Sequence, residues 1–281
     1  MFKPRKLLND WDCSKDLEIY TTEWIECDET ISVPTTDEND NYLQYLLRNH
    51  NKKYNIFAFG NLEDGSSVCI RITDYNPYYY IKIPETWNKN QCKQFERRFL
   101  ERNYIGQDLL KWDEDELLEQ IQHNKWFPKN PLEKLSCPLY KTSLLSHKTE
   151  IVNKEIFWTF SNHQKYDFWK LSFSSKSGAK EYHNFIKSEQ KYPVYDTKPT
   201  KLKLFESDLE PLLRYYHDKN IKPSSWLKIP GGKYTITNDS YCQLSISVNC
   251  DRVFPLEKTG IPKFRVASFD IEAGSSHGDF P

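Results

Sequence analysis

The chain has 281 residues, of which 38% are hydrophobic and 28% are charged. These fractions are typical of a globular protein and exclude an intrinsically disordered chain. The formal net charge is −1 at pH 7, so the composition lacks the basic excess that an autonomous nucleic-acid-binding module usually carries. The length allows one large domain or two modest ones.

The cysteines and the N-terminal sequence indicate where such a chain would work. Seven cysteines are scattered along the chain, without a Cys-x-x-Cys pair or a Cys/His spacing suited to zinc. No apolar run approaches ~20 residues, and the first residues lack the apolar core of a signal peptide. We therefore expect an intracellular protein with reduced thiols that is not secreted and has no membrane partner. The nucleus, the cytoplasm and a viral replication site stay open as its location.

The first part of the chain predicts a β-rich region followed by helices. Four strands are predicted by apolar alternation, at residues 17–25, 54–60, 67–73 and 78–83. A short helix is predicted at 42–47. An apolar stripe formed by Cys92, Phe95, Phe99 and Leu100 predicts another helix. A third helix is predicted from Asp113, where Glu116 would complete a capping box.

The second part predicts the same mixture of strands and helices. Residues 125–150 contain three prolines and predict a long connection. A hairpin is predicted from 155–160 and 166–173, followed by a helix with Ala179, Tyr182, Phe185 and Ile186 on one side. Residues 190–201 predict a linker. Together these elements predict an α+β domain with antiparallel pairing.

Beyond the linker, a helix and two strands are predicted. Ser207 and Glu210 suggest a capping box for the helix. Its predicted buried stripe consists of Leu209, Leu212, Leu213 and Tyr216. Trp226 is expected to anchor the core. The sequence Pro-Gly-Gly-Lys at 230–233 lacks the spacing of a phosphate-binding loop and predicts a tight turn. Strands are predicted at 234–237 and 241–248.

The last predicted strand, residues 265–272, carries two carboxylates on one face. Side chains alternate along a strand, so Asp270 and Glu272 point the same way, with Cα atoms about 6–7 Å apart. That spacing suits two divalent cations about 3.5–4 Å apart, as in metal-assisted phosphodiester cleavage. An isolated Asp-x-Glu pair is more often polar decoration of a solvated strand, so the spacing alone leaves both interpretations open.

The residues around this pair resemble the first exonuclease motif of family B DNA polymerases. The resemblance runs over 266–281, which contain Phe-Asp-Ile-Glu at 269–272, and it is to the branch of delta-type replicases and polymerases of large DNA viruses. Upstream matches follow in the order of the family. They are the "PYFY" strand at 74–84, the "YES" helix from 205–208 to Trp226, and two short segments at 230–234 and 240–244.

The resemblance implies an α+β fold in three parts. Residues 1–200 would form an N-terminal domain with mixed or antiparallel sheets, and 201–263 would connect and pack between domains. Residues 264–281 would begin an RNase H-like 3′–5′ exonuclease domain with this strand as its first. The resemblance also implies that the catalytic and metal-binding residues are Asp270, which bridges two Mg²⁺ ions, and Glu272, which holds one ion and helps to orient water.

In this family the other metal-binding aspartates and the polymerase palm come later in sequence than residue 281. We therefore expect residues 1–281 alone to be inactive, with Mg²⁺ and the DNA template and primer bound only by the complete enzyme. A second polypeptide could carry the remaining motifs. Residues from about 264 onward are expected to be loosely held or to rest on the N-terminal domain. No nucleic-acid-binding residue is assigned.

Two other interpretations stay open. The chain could act alone as a single-stranded nucleic-acid-binding module through sheet aromatics. Tyr78, Tyr79 and Tyr80 would then be the platform, although only alternate residues of a strand share a face. The chain could also be an inactive relic of a polymerase gene.

Overall fold

The computed structural model describes residues 8, 11–30, 52–96, 146–156, 162–188, 202–264 and 268. The strands are β1 (Leu17–Thr30), β2 (Lys52–Asn61), β3 (Ser67–Thr73), β4 (Tyr78–Lys82), β5 (Ser146–Glu155), β6 (Lys165–Phe173), β7 (Leu204–Phe205), β8 (Trp226–Ile229), β9 (Tyr234–Ile236), β10 (Leu244–Asn249) and β11 (Phe254–Pro255). The helices are α1 (Lys89–Phe95), α2 (Lys176–Ser188) and α3 (Pro211–Lys219), and a 3₁₀ turn spans Cys250–Arg252. These elements form two sheets with few helices, which confirms the predicted α+β class.

The larger sheet has seven strands in the order β11-β8-β1-β2-β3-β10-β9. Its pairs are antiparallel except for β3 and β10, which run parallel. Alternate residues of these strands are buried, as expected when one face of a sheet is covered. Leu17 and Ile19 of β1, Ile56 of β2 and Ile70 of β3 are fully buried in one apolar cluster.

The smaller sheet has four antiparallel strands in the order β5-β6-β4-β7. Its core is largely aromatic. Phe95 of α1 lies over Trp169 of β6, with ring centroids 4.9 Å apart. Tyr182 of α2 packs against Phe173 of the same strand. The two helices therefore seal one face of this sheet.

Several predicted elements are confirmed, and the hairpin before α2 needs a correction. The strand at 67–73 has its predicted bounds, and β1, β2, β4, β9 and β10 lie within a few residues of prediction. The first strand of the hairpin is β5, at Ser146–Glu155, so it begins within the predicted connection and reaches the predicted strand at 155–160 only at its first residue. Residues 157–160 lie outside the described residues. β5 is an edge strand whose polar sequence lacks apolar alternation, and its pairing with β6 defines it.

The helix predicted from Ser207 begins instead at Pro211. Glu210 occupies the N-cap position and makes no side-chain capping bond within the described part of the chain. The buried residues of α3 are Arg214 and Tyr215, whereas Leu213 is 44% exposed. Proline suits the first helical turn because its fixed φ is already helical and its missing N–H is not needed there.

Some predicted elements lie outside the described residues. They are the helix at 42–47, the helix from Asp113, the linker at 190–201 and the C-terminal part of the stripe that includes Phe99 and Leu100. Within the described ranges, no helix is long and apolar enough to cross a membrane.

Candidate functional site

The two predicted metal-binding carboxylates, Asp270 and Glu272, lie outside the described residues. Of the predicted strand at 265–272, the structure describes only Ser268, which is exposed. The described ranges contain no group of three or more His, Cys, Asp or Glu residues that could hold a metal. The structure does define the segment that leads to the carboxylates, residues 256–264, which we call the lead-in strap.

Trp226 of β8 holds the lead-in strap at two points. The backbone N–H of Leu256 donates to the carbonyl oxygen of Trp226 at 2.9 Å, and the indole Nε1–H donates to the carbonyl oxygen of Gly260 at 2.8 Å. Trp226 itself is only 3% exposed, which confirms its predicted role as a core anchor. The edge of its ring meets Tyr20 of β1 with centroids 5.6 Å apart.

Lys258 ties the lead-in strap to two distant parts of the chain. Its Nζ lies 2.9 Å from a carboxylate oxygen of Glu18 on β1 and 3.0 Å from one of Glu63, in the turn after β2. The same ammonium lies 4.3 Å from the centre of the Trp226 ring. The hydrogen bonds to Glu18 and Glu63 raise the pKa of Lys258.

The end of the lead-in strap packs closely against the turn between β2 and β3. Gly65 has φ +91°, and a Cβ there would lie 2.8 Å from the carbonyl oxygen of Lys263. Only glycine combines this conformation with so close an approach. The Phe264 ring meets Tyr20 edge-on, with centroids 6.1 Å apart. Phe264 thus rests on the sheet. The sequence predicted that residues from about 264 onward are loosely held or rest on the N-terminal domain. Apart from Phe264 and Ser268, these residues lie outside the described ranges.

A second pair of carboxylates with the same spacing, Glu26 and Asp28 on β1, serves the structure. Asp28 Oδ1 and Oδ2 accept the backbone N–H groups of Lys176 and Ser177 at 2.8 and 2.7 Å, at the start of α2. Glu26 Oε2 accepts the N–H of Leu212 at 3.1 Å, at the start of α3. These carboxylates accept hydrogen bonds from N–H groups that the helices leave unpaired. Their negative charge also interacts favourably with the positive end of each helix dipole.

Glu26 also accepts hydrogen bonds from the Tyr54 hydroxyl and the Lys176 ammonium. Lys176 in turn pairs with Glu210, which precedes α3. Sequence reasoning missed this network because its partners are 148 and 186 residues apart along the chain. Two carboxylates at alternate positions of a strand therefore do not by themselves indicate a metal site.

The tyrosines of β4 are already engaged within the protein. Tyr79 is 3% exposed beside Phe173, while Tyr78 and Tyr80 lie on the other face, which confirms the predicted alternation. The Arg214 guanidinium lies 4.4 Å from the centre of the Tyr78 ring, and the Tyr78 hydroxyl donates to Asp218. Burial raises the pKa of Tyr78. With Tyr80 only 4% exposed, this strand does not present an open platform for stacking bases.

The Pro-Gly-Gly-Lys segment is a tight turn, as predicted. The N–H of Gly231 donates to Asp16 at 2.9 Å, and that of Gly232 donates to the carbonyl oxygen of Cys13 at 2.7 Å. A Cβ at Gly231 would lie 2.0 Å from the carbonyl oxygen of Ser14. The turn packs against residues 13–16, which accept the N–H groups of both glycines, and the N–H of Lys233 donates to the carbonyl oxygen of Pro230 within the turn.

Comparison with known proteins shows which class of protein the chain is similar to. The family model described as "DNA polymerase family B, exonuclease domain" matches residues 202–281. The DNA polymerase of Acanthamoeba polyphaga mimivirus is 29% identical over 238 residues, which cover 84% of this chain and 12% of the relative. The DNA polymerase of Pyramimonas orientalis virus is 28% identical over 278 residues, which cover 96% of this chain and 18% of the relative.

A cellular relative and a solved structure complete the comparison. The DNA polymerase delta catalytic subunit of Drosophila melanogaster is 23% identical over 234 residues, covering 79% of this chain and 19% of the relative. The structure of the family B DNA polymerase from Pyrobaculum calidifontis matches with a TM-score of 0.45 and 12% identity, covering 88% of this chain and 21% of that one.

The chain is thus related to the N-terminal and exonuclease region of family B DNA polymerases. It is similar to viral DNA polymerases and to delta catalytic subunits, as the sequence motifs predicted. The chain spans 12–20% of the length of the first relatives.

Proposed function

We propose that the chain forms the N-terminal region and the beginning of the 3′–5′ exonuclease domain of a proofreading DNA polymerase. One observation carries this proposal: the family model of the exonuclease domain matches residues 202–281, which include both Asp270 and Glu272. The partner of the complete enzyme would be a DNA template and primer. A second polypeptide could supply the later motifs.

We also propose a division of the chain into three parts, at 1–200, 201–263 and 264–281. Strands β8, β9, β10 and β11 all belong to the same seven-stranded sheet as β1, β2 and β3. The proposed connecting segment, 201–263, therefore completes the sheet of the proposed N-terminal domain, 1–200. The proposed exonuclease part, 264–281, would leave this sheet at the end of the lead-in strap.

The proposed cofactor is Mg²⁺, and the residue types fit it. Carboxylate oxygens are the hard ligands that Mg²⁺ prefers. When bound, Mg²⁺ would stabilise the charge that develops on the cleaved phosphate. Asp270 and Glu272 would hold it by their carboxylates, and Glu272 would also orient the attacking water. Two carboxylates on one strand are too few ligands for a firm site, so we propose that later motifs complete it.

Degradation of a 5′-labelled single-stranded oligonucleotide tests this function. The enzyme would be the natural gene product together with any polypeptide that supplies the later motifs, assayed with Mg²⁺ or with a chelator. Asp270→Ala and Glu272→Ala should each lower the rate by at least about 10- to 100-fold, since even the supporting partners of metal ligands contribute that much. Asp251→Ala, which removes a carboxylate that is 77% exposed, is the control and should retain the rate.

Two results would contradict the proposal. One is Mg²⁺-dependent degradation that persists at full rate in Asp270→Ala. The other is degradation by residues 1–281 alone that disappears in the same variant, because the site would then be complete without later motifs.

A further inference from the structure

We propose that Lys258 is a positioning residue for the exonuclease carboxylates. By fixing the lead-in strap, it makes the chain leave the seven-stranded sheet at one defined point. This inference rests on the proposed function of Asp270 and Glu272, but its central test does not depend on catalysis.

Lys258 joins the lead-in strap to several elements of the fold. A single exposed ion pair contributes little to stability. Here one ammonium is shared between Glu18 of β1 and Glu63 of the turn after β2, and it also lies over the ring of Trp226 in β8. A charge over an indole ring adds a further attraction. One side chain thus fastens the lead-in strap to three separate elements.

The lead-in strap ends a few residues before the proposed metal-binding carboxylates. Phe264, at the end of the lead-in strap, precedes Asp270 by six residues. An extended chain covers at most about 3.6 Å per residue, so six residues make a short connection. A catalytic site tolerates displacements of only about 0.5 Å. A strap that detaches part of the time would reduce the fraction of molecules with a competent site.

Lys258 can be replaced without damage to the core. Its side chain is 27% exposed, whereas Trp226 is buried. Lys258→Met keeps an unbranched stem on the indole ring and removes the charge. Lys258→Arg keeps the charge and should rescue the effect. Lys53→Met is a matched control. Lys53 lies on β2 and makes an ion pair with Asp74 at 2.7 Å, so this variant removes a lysine ion pair away from the lead-in strap.

Hydrogen exchange of the 281-residue chain gives the central test. Lys258→Met should speed exchange of the amides of 256–264 by about 5- to 30-fold, as expected for the combined loss of two ion pairs and a ring contact. Amides of β2 and β3 should keep their rates. In Lys258→Arg and Lys53→Met, the exchange rates of the strap amides should stay within about twofold of those in the original chain. Unchanged exchange in Lys258→Met would overturn the proposal.

The oligonucleotide assay separates positioning from general stabilisation. In the complete enzyme, Lys258→Met should lower the exonuclease kcat, with KM for single-stranded DNA and the rate of nucleotide addition unchanged. A purely structural lysine would instead lower the melting temperature and both activities together. If Asp270→Ala abolishes degradation while Lys258→Met loosens the strap without lowering kcat, the positioning role is wrong. If Asp270→Ala has no effect, the proposed function is wrong.

Discussion

Replacing Asp28 with alanine should loosen helix α2 from strand β1, because Asp28 completes the N-terminal hydrogen bonding of that helix. The N–H groups of Lys176 and Ser177 donate to its two carboxylate oxygens, and the N–H of Gly178 donates to Ser175 Oγ at 3.0 Å. Three of the four N–H groups that a helix leaves unpaired at its start are thereby satisfied. Alanine removes two of these three bonds.

The size of the effect follows from the geometry. Loss of an N-cap costs about 0.5–2 kcal/mol, and hydrogen bonds to charged groups contribute about 1.5–3 kcal/mol each. Asp28 is only half-buried, so water can replace part of what is lost. We expect Asp28→Ala to lower the free energy of unfolding by about 2–3 kcal/mol, and the melting temperature by about 4–12 °C. Asp28→Asn keeps one acceptor oxygen and should cost roughly half as much.

Urea and thermal unfolding measure these differences, and hydrogen exchange locates them. Exchange in 176–188 should rise more than exchange in β2 or β3. Glu23→Ala, at an exposed position of the same strand, is the matched control and should change stability by less than about 0.5 kcal/mol. A loss in Asp28→Ala no larger than in this control would refute the capping argument.

Two further predictions concern the turn at 230–233 and the buried tyrosines. Gly231→Ala should cost about 3–5 kcal/mol, since its Cβ would meet the carbonyl oxygen of Ser14. Gly232→Ala meets nothing within 4 Å among the described residues and should cost only the φ strain, about 1–2 kcal/mol; equal losses in urea unfolding would contradict this. Burial raises the pKa of Tyr216 to about 12 and that of Tyr215 further. The pKa of tyrosine in an unfolded chain is about 10. Burial of the neutral hydroxyls therefore contributes fully to stability below about pH 9, and this contribution falls as the pH rises towards the pKa values of the folded protein. Unfolding measured from pH 8 to about 11.5 should show the decline. Tyr215→Phe should flatten it, and an unchanged slope in this variant would count against the burial argument.

Much of the local structure could be predicted from the sequence because it depends on neighbours along the chain. The alternation at 67–73 and the opposed faces of Tyr78 and Tyr79 are properties of a single strand. The resemblance of the motif around Asp270 to family B DNA polymerases was evident without any structure. The start of β5 escaped prediction, since an edge strand that is polar on both faces has no apolar period to detect.

The sequence by itself determined the strand periods and the resemblance of the exonuclease motif to family B DNA polymerases, because each is written in a short run of residues. Only the tertiary structure decided that Glu26 and Asp28 cap two helices and that α3 begins at Pro211. It also decided that Lys258 fastens the lead-in strap. The physical reason is the same in these cases: hydrogen bonds and ion pairs between residues far apart in the chain leave no trace in the local pattern.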